Sequence, residues 1–189
     1  MSAERIAVEN HIETLLRADG RAMKQLEAVR LVCPEGTFLA AGFVRNRVWD
    51  ALYDPAPRVP EVDVDVVYYC THDTGKARDL AVEAVLQDVD PTTDWQVRNQ
   101  ARMHTFGGHA PFTSLGHALM HWAETATSVG VRLDGAGDYH FIAPMGYSDL
   151  ADHILRITPV MKATDPEGFN KRLAAKGWQQ RWPRLRVVR

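Results

Sequence analysis

The sequence has little cysteine, little lysine, no long hydrophobic run and no excess of positive charge. Its two cysteines, Cys33 and Cys70, cannot build a disulfide framework, which excludes the disulfide-stapled secreted class. No stretch approaches the roughly 18 apolar residues that a membrane-spanning helix needs. The first residues also lack the basic and apolar regions of a signal peptide. We therefore expect a cytoplasmic protein with no membrane partner.

The charge balance is slightly acidic, with 24 acidic against 22 basic residues and a formal net charge of -2. A net basic surface is what long nucleic acid attracts, so a long RNA or DNA partner is not favoured. Arginine supplies 17 of the bases and lysine only 5. This bias fits either anion recognition by guanidinium groups or the codon usage of a GC-rich genome. The chain of 189 residues is 46% hydrophobic, which predicts one globular domain over residues 1–189.

Hydrophobic periodicity predicts a mixture of helices and strands. Helical spacing covers 6–31 with a weak point at Asp19-Gly20, and then 44–52, 75–90, 114–124 and 166–181. Strands are expected at 37–41, 61–69 and 95–104, and a hairpin at 129–133 and 139–142. This order predicts an α/β (α+β) fold, a small mixed sheet with helices packed on it.

The strand at 61–69 carries two acidic residues, Asp63 and Asp65. Side chains two apart on a strand share a face, so the two carboxylates stand side by side. Adjacent anions repel unless a cation lies beside them. A Mg²⁺ ion held by carboxylate oxygens and substrate phosphates would satisfy both groups. A solvated strand face, with the repulsion screened by water, is the alternative.

Candidate phosphate ligands flank this strand. Gly42 lies between a short apolar strand and a helix, where free backbone amides can meet an anion. Arg45 and Asn46 lie in the first turn of that helix. On the strand expected at 95–104, alternation places Arg98, Arg102 and His104 on one polar face, where they could donate to phosphate oxygens.

Five segments together resemble a bacterial family of nucleotidyltransferases, which is similar to the DNA polymerase β-like nucleotidyltransferase superfamily. The segments are AGFVRNRVWD (41–50), VDVDV (62–66), WQVRNQARMH (95–104), HWAETAT (121–127) and APMG (143–146). The resemblance covers about 20–185. It implies a nucleotidyltransferase-like fold and transfer of a nucleoside monophosphate from an NTP to an acceptor.

The resemblance also implies roles for individual residues. Asp63 and Asp65 would hold Mg²⁺ or Mn²⁺ and act as catalytic residues. Gly42 and the helix after it would cradle the β- and γ-phosphates. Asn99, within the 95–104 segment, joins the residues expected near the nucleotide.

Two departures from the superfamily pattern bear on activity. Phe43 follows Gly42, where the superfamily usually has Ser or Gly. The superfamily's third carboxylate, commonly the base for the attacking hydroxyl, corresponds here to Gln96, which cannot take a proton. Asp94, two residues earlier on the same face, is the substitute that we expect to be catalytic.

Three functions therefore remain open at this point: a metal-dependent nucleotidyltransferase, a non-catalytic nucleotide- or phosphate-binding module on the same fold, and a metal-dependent phosphohydrolase. Protein, small-molecule and RNA-end acceptors all fit. We expect His117 and His121 to pack rather than bind metal, because the zinc-protease pattern needs Glu where Ala118 stands. The basic C-terminus, 181–189, is expected to be a frayed end.

Overall fold

A computed structural model of the chain describes residues 2–57 and 63–189. Its main sheet has five strands in the order β3-β2-β1-β4-β5. Strands β2 and β3 are parallel, and the other neighbours are antiparallel. The expected small mixed sheet is confirmed. The strands are β1 Phe38–Ala40, β2 Val64–Tyr68, β3 Trp95–Asn99, β4 Gly130–Leu133 and β5 Tyr139–Ile142.

The helices follow the predicted order and add short elements that the sequence pattern does not indicate. Within the described residues they are α1 Ala3–Ala18, α2 Gly20–Val32, α3 Gly42–Asp50, α4 Lys76–Val89, α5 Gln100–Met103, α6 Leu115–Leu119, α7 Ser148–Ala151, α8 Pro159–Thr164, α9 Pro166–Lys176 and α10 Trp178–Arg181. Two 3₁₀ turns lie at His104–Gly107 and Thr125–Thr127. No helix of the described chain is long and apolar enough to cross a membrane.

Asp19 separates the first two helices, as the Asp-Gly pair predicts. Its side chain accepts hydrogen bonds from the N–H groups of Arg21 and Ala22, at 3.0 and 3.1 Å, and caps α2. The other carboxylate oxygen of Asp19 accepts a hydrogen bond from Arg47 Nε at 2.8 Å. One carboxylate therefore starts α2 and ties it to α3.

Three predicted elements are shorter than expected. The strand expected at 95–104 stops at Asn99, whose side chain accepts from the N–H of Ala101 and starts α5. The helix expected at 114–124 begins at the Ser114 cap but ends at Leu119. The helix expected at 166–181 is broken at Gly177, which adopts a left-handed conformation with φ 61°. Of the strand expected at 61–69, Glu61 and Val62 lie outside the described residues.

The C-terminus is paired, so the expectation of a frayed end is wrong. Strand β7, Arg186–Val188, runs parallel to β6, Ile154–Arg156. Trp182, just before β7, is fully buried, and its Nε1 donates to Asp50 at 2.8 Å. Burial of this indole fixes the last helices against α3.

The sheet has a core on each face. Val64, Val66 and Tyr68 of β2 join the larger core. Val67 faces the opposite way and packs with Ala40, Leu115 and Leu119 in a smaller cluster. Because strand residues alternate, Asp63 and Asp65 lie on the Val67 side, beyond the edge of this smaller cluster.

Candidate active site

The acidic pair lies at the start of β2. Asp63 immediately precedes the strand and Asp65 is its second residue, in register with Ala40 of β1. Neither carboxylate accepts a hydrogen bond or forms an ion pair within 2–57 and 63–189. Burial, reinforced by the charge of Asp63, raises the pKa of Asp65 to about 6. The pair therefore concentrates negative charge, and the charges of Arg172 and Lys176 act on it from across the cavity without direct contact.

The turn from β1 into α3 faces this pair. Ala41 has φ 54° and ψ -119°, an unfavourable backbone conformation for a residue with a Cβ. Helix α3 begins at Gly42, so the first N–H groups of the helix have no partner within it. A Cβ at Gly42 would lie 3.2 Å from Asn46 Nδ2, so glycine leaves room for the Asn46 side chain.

Arg45 is a buried cation on the same helix, with 6% of its surface exposed. Its guanidinium carbon lies 4.7 Å from the ring centre of Trp178 and 5.4 Å from that of Trp182. Its Nε and Nη2 donate to Asn46 Oδ1 at 3.2 and 2.8 Å, and it forms no ion pair among the described residues. Burial lowers the pKa of Arg45 to about 10. A buried cation without a carboxylate partner favours an anion as its ligand.

Arg172 of α9 lines the same cavity as Arg45 and the acidic pair, although it is distant from them in the sequence. Its Nε donates to Glu124 Oε1 at 2.6 Å, and Glu124 is only 1% exposed. Thr127 Oγ1 lies 3.1 Å from Glu124 Oε2 and holds the carboxylate from the other side. The Glu124 carboxylate therefore fixes the position of the Arg172 guanidinium.

These groups line one cavity of about 600 Å³, called here the first cavity. Its acids are Asp63 and Asp65. Its cations are Arg45, Arg172, Lys176 and Arg181, and Gly42, Asn46 and Thr127 also line it. Lys176 has no carboxylate partner in the described part of the chain, whereas Arg181 is paired with Asp50. The cavity is thus lined by two carboxylates, by several cationic side chains and by the start of α3.

Gln96 lies directly across from Asp65, so the register expected at this position is found. Arg98 lies farther along β3, where its Nη1 donates to Glu83 at 2.7 Å and its Nη2 donates to Gln96 Oε1 at 3.2 Å. Neither residue lines the first cavity. Asp94 is exposed, precedes β3 and lines neither this cavity nor the one beside Gln96, although its carbonyl accepts from the N–H of Val64.

Three further predicted phosphate ligands form contacts within the fold. Asn99 is buried and accepts from the N–H of Cys70 at 3.0 Å. Arg102 forms an ion pair with the buried carboxylate of Asp79. His104 Nδ1 lies 2.9 Å from the carbonyl of Ala101. The expectation that Arg98, Arg102 and His104 share one strand face is wrong, because the chain turns into α5 after Asn99.

His117 of α6 and His121, which follows the helix, pack in a ring cluster, as expected. The rings of His117 and His121 lie 4.9 Å apart, and both contact Phe112. No group of three or more His, Cys, Asp or Glu residues is placed to hold a metal ion in the described chain.

Sequence reasoning missed Arg172, Lys176 and Arg181 as cavity residues. Their spacing in the sequence could have indicated a shared role for two of them. Arg172 and Lys176 are four residues apart on a predicted helix and so share a face. Thr127 lies within the HWAETAT segment, which carries part of the family resemblance.

The family follows from comparison of the whole chain with known proteins. A model of a nucleotidyltransferase family matches residues 28–187. The chain belongs to this nucleotidyltransferase family. No curated protein matches the sequence significantly.

Solved structures add a similar fold. An NMR structure described as revealing a CCA-adding enzyme head domain is 31% identical, with a TM-score of 0.80 and coverage of 94% of both chains. A CCA-adding enzyme with CTP is 15% identical with a TM-score of 0.61, and the Thermotoga maritima CCA-adding enzyme complexed with tRNA is 15% identical with a TM-score of 0.59. This nucleotidyltransferase-family chain covers only 43% and 42% of those two enzymes, and shares their fold.

Proposed function

We propose that this protein transfers a nucleoside monophosphate from an NTP to a hydroxyl group of an acceptor, with Mg²⁺ or Mn²⁺ held at Asp63 and Asp65. The observation that carries the proposal is the adjacent pair Asp63 and Asp65, which has no direct ion-pair partner among the described residues and lines a cavity with the buried cation Arg45 and with Arg172. Membership of the nucleotidyltransferase family supports it.

The acidic pair fits a divalent ion. Both side chains offer carboxylate oxygens, the ligands that Mg²⁺ prefers, and Asp65 is costly to ionise without a nearby cation because it is buried beside Asp63. Two carboxylates suffice where phosphate oxygens of the substrate and water complete the coordination shell. When bound, the ion would polarise the α-phosphate and neutralise charge on the leaving group.

The remaining cavity residues would bind the triphosphate. The N–H groups at the start of α3, next to Gly42, would donate to the outer phosphates. Arg45 and Arg172 would donate to phosphate oxygens and offset their charge, with Glu124 holding Arg172 in place. In the transfer, the acceptor oxygen forms a bond to the α-phosphorus, the bond between the α-phosphorus and the bridging oxygen breaks, and pyrophosphate leaves. The hydroxyl proton is released to the medium.

A binding module without catalysis is the second candidate, and Gln96 favours it. Gln96 stands in register with Asp65, and its amide cannot accept the acceptor's proton. In this case the first cavity would bind nucleotide without turning it over. The relatives with CTP and with ATP support NTP as the ligand of either candidate.

Following the α-phosphate separates the candidates. The full chain is incubated with [α-³²P]ATP, Mg²⁺ and the small-molecule fraction of a cell extract as the source of acceptor. Label in a product other than ADP or AMP supports transfer, whereas label in ADP or AMP alone indicates a phosphohydrolase. Metal-dependent binding of ATP with no labelled product indicates the binding module, and no binding at all contradicts both candidates.

A further inference from the structure

A second cavity, of about 670 Å³, lies beside the first and shares Asp65 with it. Gln96 and Arg98 of β3 line this second cavity and not the first one. Its volume falls in the range of about 300–1,000 Å³ typical of small-molecule sites. A group bound here would lie next to Asp65 and Gln96.

The walls of the second cavity are rich in flat rings. Phe106, His109, Phe112, His121 and Trp122 all line it. Phe106 stands at its edge with 78% of its surface exposed. Aromatic and imidazole faces at this density favour a ligand with a planar ring, because stacked or edge-on rings gain stability beyond the area they bury.

The second cavity lacks the positive charge of the first. Among the described residues, Arg98 is the only lysine or arginine that lines it. Its Nη1 lies 2.7 Å from Glu83 Oε2, so an ion pair neutralises its charge. Asp65 and Asp165 add negative charge. A polyanion such as an RNA strand would therefore find no partner here for its phosphates. Asp165 caps α9 by accepting from the Gly168 N–H at 2.8 Å, and Asp65 would be neutralised by the bound metal ion, so the electrostatics favour an uncharged ligand.

Polar groups in this cavity suit a hydroxyl group. His121 Nδ1 lies 2.9 Å from the carbonyl of His117, so in the neutral ring Nδ1 donates and Nε2 is left as an acceptor. The amide of Gln96 offers both a donor and an acceptor.

From this arrangement we infer that the second cavity binds the acceptor, and that the acceptor is an uncharged small molecule with an aromatic ring and a hydroxyl group. The inference rests on the proposed transfer of a nucleoside monophosphate, for which the hydroxyl would lie next to Asp65. The two cavities would then bind different ligands: the first would bind the triphosphate of the nucleotide, and the second would bind the aromatic ring of the acceptor.

Four probes test this inference by ligand-observed NMR on the full chain. Adenosine and N-acetyltyrosinamide are uncharged, aromatic and hydroxylated; sorbitol has no ring; a hexaribonucleotide is polyanionic. They are measured with a saturating non-hydrolysable ATP analogue and Mg²⁺, and again without them. We expect at least one aromatic probe to bind the loaded protein and sorbitol and the hexaribonucleotide to bind more weakly.

Variants locate the bound probe. Phe106→Ala and His121→Ala should weaken binding of the aromatic probe at least fivefold and leave affinity for the ATP analogue within twofold of wild type. Phe106→Trp should retain binding. Leu31→Ala, at a remote exposed apolar residue, should change neither affinity.

Several results would overturn the inference: no aromatic probe binds, binding survives both alanine variants, or the hexaribonucleotide binds most tightly. Loss of ATP-analogue affinity in Phe106→Ala would show that the cavity holds the nucleobase instead. Failure of the proposed function looks different, since the ATP analogue then fails to bind the wild-type chain, while the probes measured without it still report on the second cavity.

Discussion

Asp65 and Gln96 lie opposite each other on the parallel strands β2 and β3. The amide is the neutral equivalent, in shape, of a carboxylate that would stand beside the acidic pair. Its Oε1 already accepts from Arg98 at 3.2 Å, so a carboxylate at this position would keep that contact. Replacing the Gln96 amide by a carboxylate would therefore give this edge of the sheet three acidic groups instead of two.

Gln96→Glu should raise Mn²⁺ affinity about tenfold, equivalent to about 1.4 kcal/mol. The reason is that the substitution adds a carboxylate oxygen next to Asp65. Isothermal titration of the free protein with Mn²⁺ measures it. Gln87→Glu, on the exposed side of α4, adds the same charge away from the site and should have no effect. Equal affinities in the two variants would place Gln96 outside the metal's reach.

Removal of Arg172 should cost both stability and nucleotide affinity. Arg172→Leu leaves the buried Glu124 carboxylate without its cation, and we expect a loss of about 2 kcal/mol, below the usual cost for a fully buried pair because the Arg172 side chain is 40% exposed. The double variant Glu124→Leu/Arg172→Leu should recover most of this stability but not the affinity for ATP. Urea unfolding and ATP-analogue titration measure the two effects. Recovered affinity in the double variant would show that Arg172 serves the fold alone.

Ala41→Gly should stabilise the fold by about 1 kcal/mol. Glycine relieves the strain at φ 54°, and this gain exceeds the extra chain entropy that glycine loses on folding. Urea unfolding measures the change. Ala40→Gly is the matched control: Ala40 lies in β1 and is fully buried, so it should lose stability. A destabilised Ala41→Gly would mean that the Ala41 side chain contributes more than its backbone conformation costs.

Asp19 should make stability depend on pH. Burial opposes ionisation, but hydrogen bonds from the Ala22 N–H and the charge and hydrogen bond of Arg47 outweigh it and lower the pKa of Asp19. A lowered folded-state pKa gives stability that is present above the ordinary value of about 3.9 and is lost as the pH falls through the folded-state value.

Asp19→Asn isolates the charge, because asparagine caps a helix about as well as aspartate. At pH 7 it should be less stable than wild type by about 0.5 kcal/mol, the size of a solvent-exposed ion pair. As the pH falls below the ordinary value of about 3.9, the difference between the two proteins should shrink. Thermal unfolding from pH 2.5 to 7 tests this, and a difference that persists at the acid end would assign the effect to the cap instead of the charge.

Local signals in the sequence were sufficient for the elements that place the acidic pair. The strand–glycine–helix turn at Gly42, the alternation through Asp65 and the hairpin each depend on a few neighbouring residues. The alternating pattern wrongly predicted that the strand continues beyond Asn99. The Asn99 side chain caps α5, so the chain turns into a helix there. On α4 the apolar residues do not mark the buried side: Leu80 and Val85 are about half exposed, whereas Asp79 is buried.

Contacts between distant parts of the chain could not be read from sequence patterns. Strands β6 and β7 pair across about thirty residues, and nothing near either strand indicates the partner. The helical spacing of Arg172 and Lys176 shows that they share a face, but only the Glu124 carboxylate, 48 residues away, decides where Arg172 lies.

The role of the acidic pair is tested most directly by metal-dependent nucleotide binding in Asp63→Asn. A non-hydrolysable ATP analogue is titrated into wild type, Asp63→Asn and the control Asp88→Asn, an exposed residue of α4, each with Mg²⁺, with Mn²⁺ and with EDTA. We predict that wild type and Asp88→Asn bind at least tenfold more tightly with metal than with EDTA, and that Asp63→Asn loses this dependence. Unchanged metal-dependent binding in Asp63→Asn would contradict the assignment of the site.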